Sequence, residues 1–97
     1  MEANVTFVWD SSKNEANIKK HGIAFEDAVH VFEDIHMLEV FDEKHSTPEE
    51  ERWKAIGMVR RVLCVIYTER TDKIRIISAR IASPEERNEY YNNYDAG

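Results

Sequence analysis

The chain has 97 residues and a net charge of −6, from 13 Lys and Arg against 19 Asp and Glu. That length suits one domain, so residues 1–97 are expected to form a single unit. A hydrophobic share of 42% with 3 Gly and 2 Pro excludes collagen-like and disordered chains, and no apolar run reaches the ~18 residues of a membrane span.

Val5 to Trp9 is β-branched and aromatic and reads as a short first strand. Asp10 is a good N-cap for a helix over Ser11–His21, with Ala16 and Ile18 as its apolar anchors. Gly22 stands where a helix C′ residue belongs, after Lys19, Lys20 and His21 in the last turn. Phe25, Ala28, Val29 and Phe32 follow i, i+3, i+4, i+7 spacing, the pattern of an amphipathic helix. Met37–Phe41 reads as a second strand and His45-Ser46-Thr47-Pro48 as a loop.

Three further strands are expected over Arg52–Met58, Val62–Glu69 and Lys73–Ile81, the middle one central because it is the most apolar. Their short connections require antiparallel pairing. Ser83, Pro84 and Glu86 then stand at N-cap, N1 and N3 of a last helix, a capping box, with Tyr90, Tyr91 and Tyr94 as an aromatic face for the sheet. The order β-α-α-β-β-β-β-α indicates an α+β fold, a mostly antiparallel β-sheet with helices on one face.

Charge is unevenly placed. Residues 26–51 carry ten acids and only Lys44, whereas residues 52–80 carry eight bases against Glu69 and Asp72. A basic block of this kind suits either a phosphate chain or an acidic partner. Pairing Arg70 with Lys73 across a two-residue turn places Glu69 on one face with Tyr67, Ile74, Ile76, Ser78 and Arg80. Arg80 then ends an apolar row, where it needs a carboxylate or a phosphate. Among the histidines, His45 is placed like a general acid or base, in a polar loop just before the basic block. His21, His30 and His36 read as capping or packing residues, and Trp9 and Trp53 as core or sheet-edge residues. Glu49-Glu50-Glu51 reads as a solvated turn, so no metal site or cofactor is expected. The single Cys64 and the lack of a basic, apolar leader at the N-terminus point to a cytoplasmic protein.

Several short segments occur together: Trp9-Asp10, Lys20-His21-Gly22, Phe25-Glu26-Asp27-Ala28, Val31-Phe32, His45-Ser46, Glu50-Glu51-Arg52 and Ile56-Gly57. Thr68-Glu69-Arg70, Ile74 to Arg80, Glu86-Arg87 and Tyr90-Tyr91 complete the series. In this order and spacing the chain resembles the BrnT family of type II toxins, over nearly its whole length. The resemblance implies a RelE-like fold and a metal-independent endoribonuclease, an mRNA interferase that inhibits translation and growth. It implies neutralisation by a BrnA-like, ribbon-helix-helix antitoxin, which alone would contact operator DNA. By the same resemblance Arg75, Arg80 and Arg87 are transition-state stabilisers and Glu69 the base, with His45 or Glu51 as alternative acid–base groups. Arg52, Lys54 and Arg70 are candidate RNA contacts. The alternative is a non-catalytic module that docks an acidic partner through the same basic strands. A DNA-binding regulator fits poorly with a net charge of −6 and no basic recognition helix.

Overall fold

The fold is that of a computed structural model describing residues 5–96. Residues 1–4, on which the leader reading partly falls, and Gly97 lie outside the described residues. In chain order the elements are β1 (Thr6–Val8), α1 (Ser11–His21), α2 (Phe25–Ala28) running into a 3-10 turn (Val29–Glu33), and β2 (Leu38–Phe41). A second 3-10 turn (Glu43–His45) leads to β3 (Trp53–Val59), β4 (Arg61–Arg70), β5 (Lys73–Ile81) and α3 (Pro84–Ala96). The strands form one sheet in the order β1-β5-β4-β3-β2, with β4 central as its composition requires. All neighbours are antiparallel except β1, which lies parallel to β5 at one edge. The fold is α+β.

Helices cover both faces of this sheet, not one. Alternation along β4 sends Leu63, Val65 and Tyr67 to one side, where they pack with Phe25, Ala28 and Val31 of α2 and its 3-10 extension. Val62, Cys64 and Ile66 point to the other side, where Tyr90 of α3 covers them. A strand apolar at every position from 62 to 67 has no solvent face, so it needs a layer on each side. Of the three tyrosines expected to pack on the sheet, only Tyr90 is buried; Tyr91 and Tyr94 are 42% and 47% exposed.

Helix α1 docks by polar groups rather than by the apolar anchors expected. Ala16 and Ile18 are exposed, and Asn14 and Asn17 are the buried residues. The Asn17 amide behaves like one residue of an added strand: its Oδ1 accepts from Ala79 N–H at 3.1 Å and its Nδ2 donates to Ala79 C=O at 2.9 Å. Nδ2 also donates to Ile23 C=O at 2.9 Å. Asn14 Oδ1 accepts from Phe25 N–H at 2.8 Å, tying α1 to α2. The short β1 pairs only with residues 73–75 of β5, so β5 beyond that point needs this second partner. The ends of α1 are as expected, with Asp10 accepting from Ser12 N–H at 2.8 Å and Gly22 at φ 72°.

The β4–β5 hairpin has the expected pairing from Arg70↔Lys73 up to Tyr67↔Ile76, with Thr71 at φ 45° in the turn. Beyond it the register shifts between Ile66 and Tyr67, and Ile66 pairs with Ser78. Ile77 is the extra residue of a β-bulge. This single insertion turns Ser78 and Arg80 to the face opposite Glu69, overturning the placement of Glu69 and Arg80 on one face.

Asn17→Ala leaves the buried N–H and C=O of Ala79 without partners, and is expected to cost about 3 kcal/mol. Urea unfolding of the purified protein measures this; a loss below about 1 kcal/mol would show that the amide is not the clamp described.

Candidate active site

The face of the sheet that carries α3 is only half covered. Next to it, between α1, the end of β2 and the open part of β3–β5, lies a groove of about 700 Å³. Arg52 just before β3, Lys54 of β3 and Arg80 of β5 line its floor with Ile66, Ile77 and Ser78. Lys13, Lys20 and His21 of α1 form one wall, and Asp42, Lys44 and His45 the other.

Arg80 is held by Glu86. Its Nη1 and Nη2 donate to Glu86 Oε1 and Oε2 at 2.7 and 2.9 Å, a two-pronged pair, and Nη1 also donates to Ile81 C=O at 3.3 Å. Lys54 Nζ reaches Glu86 Oε2 at 3.2 Å. The same carboxylate closes the capping box, accepting from Ser83 N–H at 2.9 Å while Glu86 N–H donates to Ser83 Oγ at 3.1 Å. Burial by itself pushes the Glu86 carboxyl up, but Arg80, the Ser83 amide and Lys54 outweigh it and hold the group at about 2. The Glu86 hydrogen bonds in turn raise Arg80. The need of Arg80 for a carboxylate is thus met from α3. The Arg80 side chain is nonetheless 35% exposed, lines the groove and keeps N–H groups free of Glu86.

His45 stands on the opposite wall. Its Nδ1 lies 2.8 Å from Oδ2 of Asp42, and its side chain is 54% exposed against 6% for Asp42. The Asp42 backbone is fixed as well, its N–H donating to Arg52 C=O at 2.9 Å and its C=O accepting from Ser46 Oγ at 2.7 Å. Cys64, beneath Arg80 in the sheet, is no nucleophile: burial pushes its thiol up to about 12.

Of the residues expected to carry chemistry, the groove gathers Arg80, His45, Arg52 and Lys54. Arg75 pairs with Thr68 on the same sheet face but nearer the β4–β5 turn, beside Arg70 and Lys73. Arg70 Nη2 and Arg52 Nε both bind Glu50, at 3.0 and 2.9 Å, so the middle of the acidic run is an ion-pair bridge rather than a solvated turn. Arg87 is exposed on α3 outside the groove. Glu69 is exposed on the opposite face, opposite Ile74, and Glu51 is exposed. The groove adds groups that pattern did not single out: Asp42, Lys13, Lys20 and Lys44. Lys13 and Lys20 are seven residues apart, two helical turns, which was the available signal for a basic stripe on α1.

Residues 9–86 match the family described as "Ribonuclease toxin, BrnT, of type II toxin-antitoxin system". The chain belongs to the BrnT family. It is also similar to the crystal structure of the Brucella abortus ribonuclease toxin, BrnT, at 30% identity and a TM-score of 0.65, covering 82% of this chain and 99% of that one. No curated protein matches the chain. As a BrnT-family ribonuclease toxin, the chain has an RNA substrate and an antitoxin partner. No helix among the described residues is long and apolar enough to cross a membrane.

A carboxyl held below its ordinary value stabilises this BrnT fold fully above about 4.5, and that stability fades as pH falls toward about 2. Glu86→Gln is therefore expected to cost about 3 kcal/mol at neutral pH and to flatten the stability profile over that interval. Denaturant unfolding at a series of pH values tests this. Parallel profiles for the two proteins would show that Glu86 carries no such charge-dependent stability.

Proposed function

We propose that the groove is the site at which this toxin cleaves RNA, by attack of a ribose 2′-OH on the adjacent phosphate. The observation that carries the proposal is the convergence of Arg80, Lys54 and Arg52 on one floor, facing a histidine with an exposed ring. His45 removes the proton of the 2′-OH. O2′ then forms a bond to phosphorus and the P–O5′ bond breaks, leaving a 2′,3′-cyclic phosphate. The departing 5′ oxygen takes a proton from water in the open groove, and His45 returns its proton to the hydroxide so formed. Negative charge gathers on the non-bridging phosphoryl oxygens, where Arg80 and Lys54 stabilise it. These fixed cations supply the charge that a metal would otherwise bring, so the proposed reaction is metal-independent. Arg52, Arg70 and Arg75 extend the basic face toward the β4–β5 turn, and Lys13 and Lys20 extend it along α1, for the flanking phosphates. A ribbon-helix-helix antitoxin as the neutralising partner, operator binding through it, and growth arrest by the free toxin complete the proposal.

Antitoxin-free protein is expected to cut a long single-stranded RNA in EDTA and to leave cyclic phosphate ends. Arg80→Ala and His45→Ala, each shown to be folded by circular dichroism, should lose about 10²–10³-fold in rate. Wild-type rates in both variants would remove the groove from the chemistry; intact RNA with folded wild-type protein would favour a binding module instead.

The α1 wall has its own test. Replacing Lys13 and Lys20 by Ala should weaken RNA binding with little sequence preference, and should reduce the slope of log affinity against log salt by about 0.7 for each phosphate no longer neutralised. An unchanged slope would place the RNA elsewhere than along α1.

A further inference from the structure

We infer that Asp42 is the positioning residue of the cleavage reaction, setting the tautomer and the orientation of the His45 ring. This inference rests on the proposal that His45 is the acid–base group of the groove.

The Asp42 carboxylate only accepts hydrogen bonds, so the 2.8 Å contact from His45 Nδ1 to Oδ2 requires the proton on Nδ1. Neutral His45 then presents Nε2 as an unprotonated base. Asp42 is itself immobilised: its residue is 5% exposed, and its N–H and C=O bind Arg52 C=O and Ser46 Oγ. Ser46 Oγ also accepts from Arg52 N–H at 2.8 Å, which locks the His45 segment onto the start of β3. A flexible carboxylate could not impose a ring orientation; this one can.

The surroundings make the carboxylate necessary. Arg52 just before β3, Lys54 of β3 and Arg80 of β5 face the groove. The α1 wall adds Lys13, Lys20 and His21, and the His45 segment adds Lys44. Glu86 offsets Arg80 and Lys54 and Glu50 offsets Arg52, while Lys13, Lys20 and Lys44 disfavour the imidazolium that must form when His45 takes the 2′-OH proton. Asp42 is the acidic residue lining the groove, and its charge lies directly against the ring. It stabilises the imidazolium at the moment the proton transfers, and it leaves Nε2 free for substrate.

The test compares wild type, Asp42→Asn and His45→Ala in single-turnover cleavage, with ring-nitrogen NMR of His45 in the first two to read which nitrogen carries the proton. Asp42→Asn should lower the rate by about 10²-fold or more and shift the neutral ring from the Nδ1–H form toward the Nε2–H form. Ser46→Ala, which loosens the loop but keeps the carboxylate, should retain the Nδ1–H form. A rate and a ring tautomer equal to wild type, with His45→Ala inactive, would overturn the role of Asp42 and leave that of His45 standing. Full activity in His45→Ala would instead remove His45 from the reaction. If Asp42→Asn does not fold, Asp42→Glu takes its place: the longer carboxylate keeps the charge but misplaces the ring. It should lower the rate with the Nδ1–H form retained, and wild-type cleavage by it would overturn the proposal.

Discussion

The Glu86 carboxylate is the point where the chain's covalent order becomes the geometry of the groove. Its two oxygens serve the N-terminus of α3, the guanidinium of Arg80 on β5 and the ammonium of Lys54 on β3. Two cations on the strands that flank β4 repel one another, and a buried carboxylate that binds both turns that repulsion into convergence. The cost of burying the charge is offset by four donors, an arrangement in which the carboxylate has little solvation left to regain. Helix α3 depends on the same group. Apart from Glu86 and Tyr90 it buries little, and Tyr90 reaches the Asp34 carboxylate, which also accepts from Met58 N–H at 2.8 Å. The helix is thus pinned to β3 through Asp34 and to β5 through Glu86. Stability of the helix and arrangement of the groove are one constraint.

That constraint works only because of the bulge at Ile77. A regular hairpin would carry Arg80 to the face of α2, among Leu63, Val65 and Tyr67, where no carboxylate of α3 could reach it. One extra residue exchanges the faces of everything beyond it. The same bulge sets Ile77 and Ser78 next to each other on the groove floor, so the floor is partly apolar beneath the cations. Close approach on the other side of the sheet reinforces the layout. A Cβ at Gly57 would lie 2.9 Å from Cγ1 of Val31, so glycine lets the 3-10 turn sit directly on β3.

The legible parts of the sequence were those governed by local rules. Asp10 and Gly22 bound α1, Ser83 and Glu86 start α3, and the apolar run 62–67 marks the central strand, because caps and burial act within a few residues. The register beyond Tyr67 was not legible, since no glycine or proline marks the bulge and only the demand for Glu86 across the sheet reveals it. The seating of α1 is hidden for the same reason: an asparagine that completes a strand edge looks, in sequence, like an exposed polar residue. His45 and the basic strands were readable as candidates from their residue types and position. Asp42 was not, because it stands three positions before His45 and its burial depends on contacts with Arg52 and Ser46. The separation of Glu69 from Arg80 follows from the bulge alone.

An acidic chain that acts on RNA presents an electrostatic problem which the layers of the fold resolve. Three of its acids lie on the groove side already committed to cations or to His45: Glu86, Glu50 and Asp42. Glu26, Asp27 and Glu33 lie exposed on the layer of α2, and Glu39 and Glu69 point to that same side of the sheet. Sheet and helix layers are separated by about 10 Å, comparable with the ~8 Å screening length at physiological ionic strength. Phosphates approaching the groove therefore meet Lys13, Lys20, Lys44 and Arg80 at close range, while the acids behind the sheet are largely screened. Those acids still repel a strand that approaches from the far side, so the negative total favours one face for RNA rather than opposing its binding. Net charge and local charge act at different distances here, and the sheet is the boundary between them.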